Sequence, residues 1–149
     1  YLVRSRGLGD VYKRQVFDNT HNLYSGTSNG IIRSTNNGNT WDSLNSGLTN
    51  SWVSSLTIDP IGNIFAGTLA GVFRSTDSGN NWVEVNNGLT RFYIQSICSN
   101  SFGNIFVGTE SGVFRTMDSG NSWTEVNNGL LKSYTHSLAI NLSLSLIHI

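Results

Sequence analysis

One spacing governs what this chain can fold into: a block of 41 residues occurs three times in succession. Gly26-Thr27, Gly67-Thr68 and Gly108-Thr109 recur at that step, as do Gly30, Gly71 and Gly112, and Trp41, Trp82 and Trp123. The second block reads GTLAGVFRSTDSGNNWVEVNNGLT and the third GTESGVFRTMDSGNSWTEVNNGLL. The first, GTSNGIIRSTNNGNTWDSLNSGLT, is a more diverged copy. A fixed period of this length is the mark of a repeat architecture.

Each block divides into four strand-sized pieces, in the second at about residues 53–58, 63–68, 72–76 and 82–86. Breaks fall at Pro60-Ile61-Gly62, Leu69-Ala70-Gly71 and Asp77-Ser78-Gly79. Strands of ordinary length joined by hairpin turns fill the block with little left over. In the fourth piece Val83 and Val85 are expected on one face, Trp82 and Glu84 on the other. With 16 Gly, a single Pro and no sustained 3.6-residue apolar period, the chain predicts an all-β fold. Four short antiparallel strands per 41 residues is the arithmetic of a partial β-propeller. The blades are expected at about residues 16–48, 49–89 and 90–130, with the inner strand of a further blade at 131–141.

The third turn of each block is the most specific feature. It reads Ser34-Thr35-Asn36-Asn37-Gly38-Asn39-Thr40-Trp41, Ser75-Thr76-Asp77-Ser78-Gly79-Asn80-Asn81-Trp82 and Thr116-Met117-Asp118-Ser119-Gly120-Asn121-Ser122-Trp123. This resembles the Asp box, or BNR repeat, of sialidases, sortilin-type receptors, xyloglucan-cleaving endoglucanases and photosystem II assembly factors. Asn36 replaces the Asp of the first box and Asn81 the Thr/Ser of the second, and both still hydrogen-bond. A short acceptor such as Asp77 can take the N–H groups of the turn that follows, and Gly79 supplies a positive φ. Trp82 then packs against the blade. The resemblance implies a structural role for the box, on the outer rim away from the central channel.

The chemical candidates are sparse. Asp77 and Asp118 lack the alternating acidic ligands and closing Glu of a calcium loop, so no metal is expected. Asp18 and Asp59 precede the first turn of their blocks, Asp42, Glu84 and Glu125 share the fourth piece, and only Glu110 is unmatched by its counterparts, Ser28 and Leu69. One free carboxylate does not make the pair that glycoside hydrolysis needs. Arg33, Arg74 and Arg115 recur at one position and read as scaffold, and the Arg-Ile-Pro motif that a resemblance to sialidases would require is absent. His136 and Cys98 are expected on inner strands, buried or lining the channel. A single cysteine excludes an internal disulfide. No catalytic residue and no cofactor is expected, although the chain could belong to an enzyme.

Comparison between blocks locates a candidate site. The Asp-box end is nearly constant, whereas the turn after Gly-Thr changes (Ser28-Asn29, Leu69-Ala70, Glu110-Ser111). The link into the next inner strand changes as well (Asn50-Ser51-Trp52, Arg91-Phe92-Tyr93, Lys132-Ser133-Tyr134). Both loops are expected on the blade end opposite the boxes. There Trp52, Tyr93 and Tyr134, rimmed by Arg91, Lys132 and Glu110, form a candidate platform for a glycan or a protein segment. The bland alternative is that these aromatics wedge neighbouring blades together.

The ends break the pattern. Residues 1–15 (YLVRSRGLGDVYKRQ) and 142–149 (LSLSLIHI) fit no part of the repeat, resemble translated sequencing-adapter read-through, and are set aside as tails. The first tail holds Arg4, Arg6, Lys13 and Arg14 of nine basic residues and Asp10 of nine acidic ones. The remainder carries five basic and eight acidic groups, a balance of about −3 that argues against nucleic acid as partner. No apolar run is long enough to span a membrane as a helix. Three blades and one strand do not close a ring, so further blades of the same chain are expected on both sides. The leading expectation is a non-catalytic binding or scaffold module, secreted, at the cell surface or in the periplasm, as in the secreted bacterial proteins it resembles. The alternatives are part of a xyloglucanase-like glycoside hydrolase and a photosystem-type assembly factor.

Overall fold

A computed structural model describes residues 14–131, 134–141 and 146–148. Every regular element described is a strand. The first sheet holds β1 (Gln15–Phe17), β2 (Leu23–Thr27), β3 (Gly30–Ser34) and β4 (Asp42–Ser43) in sequence order. The second holds β5 (Val53–Ile58), β6 (Ile64–Thr68), β7 (Gly71–Ser75) and β8 (Val83–Glu84). The third holds β9 (Ile94–Ser99), β10 (Ile105–Thr109), β11 (Gly112–Thr116) and β12 (Thr124–Glu125). All pairings are antiparallel. These are three blades built on one plan. A two-stranded pair follows, β13 (Ala139–Asn141) with β14 (Leu146–His148). β1 opens at Gln15 and β14 falls in 142–149, so both lie partly or wholly in the segments set aside on repeat grounds.

The register explains the turns. β6 and β7 pair Ile64 with Ser75 and Thr68 with Gly71, leaving a two-residue hairpin at Leu69-Ala70. Gly71 has φ of 111°, and the Asn86 side chain stands where its Cβ would be. Asn86 Oδ1 accepts from Val72 N–H at 2.8 Å and Nδ2 donates back to Ala70 O. Asn45 and Asn127 do the same for Ile31 and Val113. At the other end of the blade, Asp59 accepts from Ile61 N–H and Asn63 N–H to close the β5–β6 turn. Asp18 and Asn100 do this work in the first and third blades.

The fourth strand departs from the sequence expectation. It is two residues long, and Val83 does not share a buried face with Val85: Val83 is 51% exposed, while Trp82 and Val85 are buried. The cause is a joint to the preceding blade. Trp82 donates its backbone N–H to Ser46 O at 2.9 Å and its indole Nε1–H to Leu44 O at 2.9 Å. Trp123 repeats both bonds on Asn87 O and Val85 O. The ring therefore seals the blade before it and breaks the alternation of its own strand.

Two apolar clusters lie at these joints. Tyr24, Ile31, Leu44, Val53, Leu56 and Trp82 belong to the first-to-second contact, and Phe65, Val72, Val85, Ile94, Phe114 and Trp123 to the second-to-third. Gly26 and Gly67 let the blades close: a Cβ on Gly67 would meet Ile94 Cγ2 at 2.5 Å, and one on Gly26 would strike Val53.

Candidate functional site

The repeated segments that resemble Asp boxes are hydrogen-bonded turns. In the second, Ser75 Oγ donates to Asp77 Oδ1 (2.8 Å) and accepts from Gly79 N–H (2.8 Å). Asp77 Oδ1 also accepts from Asn81 N–H, and Oδ2 from Asn81 Nδ2. Asn81 thus replaces Thr/Ser without losing the bond. In the first box Asn36 Oδ1 takes Thr40 N–H at 2.9 Å, while its Nδ2 donates to Thr40 Oγ1. In the third, Asp118 Oδ1 takes Thr116 Oγ1–H and Ser122 N–H. The positive φ is shared by two consecutive residues, Asn37-Gly38, Ser78-Gly79 and Ser119-Gly120, one more per box than glycine alone signals. Ser78 and Ser119 consequently turn their carbonyls outward, where Arg33 Nη1 (3.2 Å) and Arg74 Nη1 (2.6 Å) of the preceding blades donate to them. Arg33 and Arg74 are inter-blade ties, which fits their reading as scaffold.

The variable loops sit at the opposite end. Val53 pairs with Thr68, so Trp52 and the Leu69-Ala70 turn share one end of the second blade, while Ser75 leads into the box at the other. Trp52 and Tyr93 are 44% and 43% exposed and line one cleft of about 240 Å³. The cleft is completed by Arg14, Ser54, Leu69, Gln95 and His136, and none of the described residues that line it is a carboxylate. The Arg14 guanidinium lies 5.8 Å from the Trp52 ring centre, within cation–π range.

The remaining platform residues divide. Tyr134 is 59% exposed and stacks on His136, with centroids 5.7 Å apart and planes 14° apart, so it reaches the cleft through that ring. Arg91 turns to Glu110 at 3.8 Å and donates Nε–H to Ser111 Oγ at 3.1 Å, so these two charges offset each other beside the β10–β11 turn. Lys132 lies outside the described residues. His136 is exposed and lies in a stretch without strand structure, whereas Cys98 sits on the first strand of the third blade as expected. Burial pushes the Cys98 thiol up to about 12, which leaves it unreactive at neutral pH.

Sequence reading missed the floor of the cleft, although a signal for it existed. Ser54, Gln95 and His136 occupy one repeat position, two residues after Trp52, Tyr93 and Tyr134, and two residues apart on a strand means one face. This position varies as much as the loops do. Also missed was an apolar hollow of about 220 Å³ at the Asp-box end, where Ile61, Phe102 and Met117 stand exposed. The first block has Thr20 and Thr35 at the corresponding positions.

Among the described residues no group of three His, Cys, Asp or Glu side chains could hold a metal ion, and no helix is long and apolar enough to cross a membrane. No protein-family model matches the chain, and no curated protein matches it. Solved structures do. The extracellular domain of BT3049 from B. thetaiotaomicron superposes with a TM-score of 0.71 at 16% identity, over 89% of this chain and 19% of that one. An ancestral GH74 enzyme superposes with a TM-score of 0.67 at 22% identity, over 89% and 20%. YCF48, solved bound to D1 peptide, does so with a TM-score of 0.55 at 17% identity, over 84% and 42%. The chain spans about a fifth of the first two and less than half of the third. At these identities the likeness is one of fold, and it establishes the three sheets as blades of a partial β-propeller.

Proposed function

We propose that this chain is a non-catalytic extracellular binding module that takes a glycan across its aromatic end. The observation that carries the reading is the cleft bounded by Trp52 and Tyr93. Two half-exposed rings offer flat apolar faces, and the Gln95 side chain lines the same cleft with a hydrogen-bonding amide. Rings flanked by polar side chains suit the alternating apolar and hydroxyl faces of a sugar. The extracellular placement draws support from a low charge content, 12%, and from BT3049, whose solved domain is extracellular.

A hydrolase reading has the GH74 neighbour in its favour, but no carboxylate is among the described residues of the cleft, and a glycosidase needs two. An assembly-factor reading has YCF48 in its favour, but a basic patch would be expected of it. Here Arg91 is offset by Glu110. The glycan reading is tested by screening the chain against a glycan array and titrating any hit by calorimetry. Trp52→Ala and Tyr93→Ala should each weaken binding at least about tenfold, as loss of a stacking anchor does. Full binding by both variants, or no glycan bound at millimolar concentration, would reject it.

A further inference from the structure

The first strands of the second and third blades are interrupted at the same place. In the second sheet Val53 pairs with Thr68 and Ser55 with Gly67, and in the third Ile94 pairs with Thr109 and Ser96 with Gly108. One residue of each strand, Ser54 and Gln95, therefore stands outside the ladder as a β-bulge. A bulge bends its strand and re-aims a side chain. Here both side chains line the cleft that Trp52 and Tyr93 bound. The two bulges rest on pairings inside the second and third sheets alone.

The two bulged residues do different work. Ser54 Oγ lies 2.9 Å from Gly67 O and 2.5 Å from Ile94 O, so its hydroxyl is taken up in tying the second blade to the third. Gln95 occupies the same repeat position one blade further on and forms no such tie. Its side-chain amide makes no hydrogen bond among the described residues, although the residue is partly buried and lines the cleft. Both the acceptor oxygen and the donor nitrogen of the carboxamide are thus left for a ligand or for the water it displaces.

We propose that Gln95 selects the ligand of this cleft by taking a vicinal diol of a neutral pyranose. The inference rests on the glycan reading above and adds to it the group that is recognised. A carboxamide carries an acceptor oxygen and an N–H donor side by side in one plane. Two neighbouring ring hydroxyls match that pair: one donates to Oε1 while the other accepts from Nε2–H. A diol capped as ethers satisfies the nitrogen and leaves Oε1 without a donor. The rings of Trp52 and Tyr93 meet the apolar face of the sugar, a contact indifferent to which hydroxyls are free. Stacking then supplies affinity and Gln95 supplies choice, since a site built to hydrogen-bond a hydroxyl rejects an analogue lacking it more strongly than an apolar site does.

The probe is xylotetraose, a neutral pyranose chain with a free vicinal diol on every unit, set against its per-O-methylated form, which keeps the rings and has no hydroxyl. Both are titrated by calorimetry into the full 149-residue chain and into Gln95→Ser, which gives the third blade the residue that the second already carries at its bulge. The parent should prefer xylotetraose about tenfold, the effect of one to two ordinary hydrogen bonds, and Gln95→Ser should bind the two forms to within about twofold. In amide NMR spectra of the parent, the Gln95 side-chain amide and the Trp52 indole N–H should shift along one titration curve. Those spectra need no substitution, so they decide the matter even if Gln95→Ser does not fold. A Trp52 signal that moves while Gln95 stays still, or equal preference in parent and variant, would overturn the role of Gln95 and leave the glycan reading standing. If neither signal moves with xylotetraose while a glycan array yields another sugar, the diol is the wrong group. If the array yields none, the glycan reading fails and this inference with it.

Discussion

Asp118 accepts from Ser122 Oγ, Thr116 Oγ1 and the Ser122 backbone N–H, and these bonds hold its carboxyl down to about 2. Asp77 is held below its ordinary 3.8 in the same way, first by Asn81. A carboxyl with a depressed folded pKa contributes stability that is complete above the unfolded value, 3.8, and is lost as pH falls through the folded value. Thermal midpoints should therefore hold above pH 5 and drop between about 4 and 2. The double variant Asp77→Asn and Asp118→Asn should drop less over that interval, and equal acid slopes in variant and parent would refute the assignment. Cys98 gives a second check at this scale. With its thiol raised to about 12 by burial, it should resist a thiol reagent at pH 8 in the folded chain and react at once in denaturant. Fast labelling of the native chain would contradict its place on β9.

Trp82 and Trp123 each belong energetically to the blade before their own. Trp82 is 3% exposed and its indole N–H is bound to Leu44 O, so Trp82→Ala opens a cavity at a joint and frees a buried carbonyl. The expected loss is about 3–5 kcal/mol in denaturant melts. Trp41→Ala should cost clearly less, because Trp41 is 39% exposed, and equal losses would show that its ring is buried as Trp82 is. Asn86→Ala should cost about 1–3 kcal/mol by leaving Val72 N–H buried without an acceptor. These elements also mark what could be read from the residues alone. Hairpins at Leu69-Ala70 and in the boxes are fixed locally by Gly, Asn and Asp, so the period and the turn chemistry placed β5, β6 and β7 to within about one residue. The fourth strand was misread because its shape is set by a neighbour: local alternation pairs Val83 with Val85, but the pull of Ser46 and Leu44 on Trp82 overrides it. The aromatic end was legible as loops that differ between blocks. The cleft between them was not, because it arises where Ser54 and Gln95 from different blades face each other.

At the scale of the molecule, stability in such an array is the sum of each blade and its contacts with its neighbours. Blade two is sealed on both flanks, and every residue of its second strand, Ile64–Thr68, is buried. Among the described residues Trp41 of blade one stays 39% exposed and Val126 of blade three is partly exposed. Amide exchange should therefore be slowest in the fully buried second strands Ile64–Thr68 and Ile105–Thr109, faster in Leu23–Thr27 and faster again around Trp41 and Val126, since local opening follows the density of buried contacts. Equal exchange rates in Ile64–Thr68 and around Trp41 would show that the blades open together rather than from the exposed flanks, and a sum of blade and joint energies would then not describe this array.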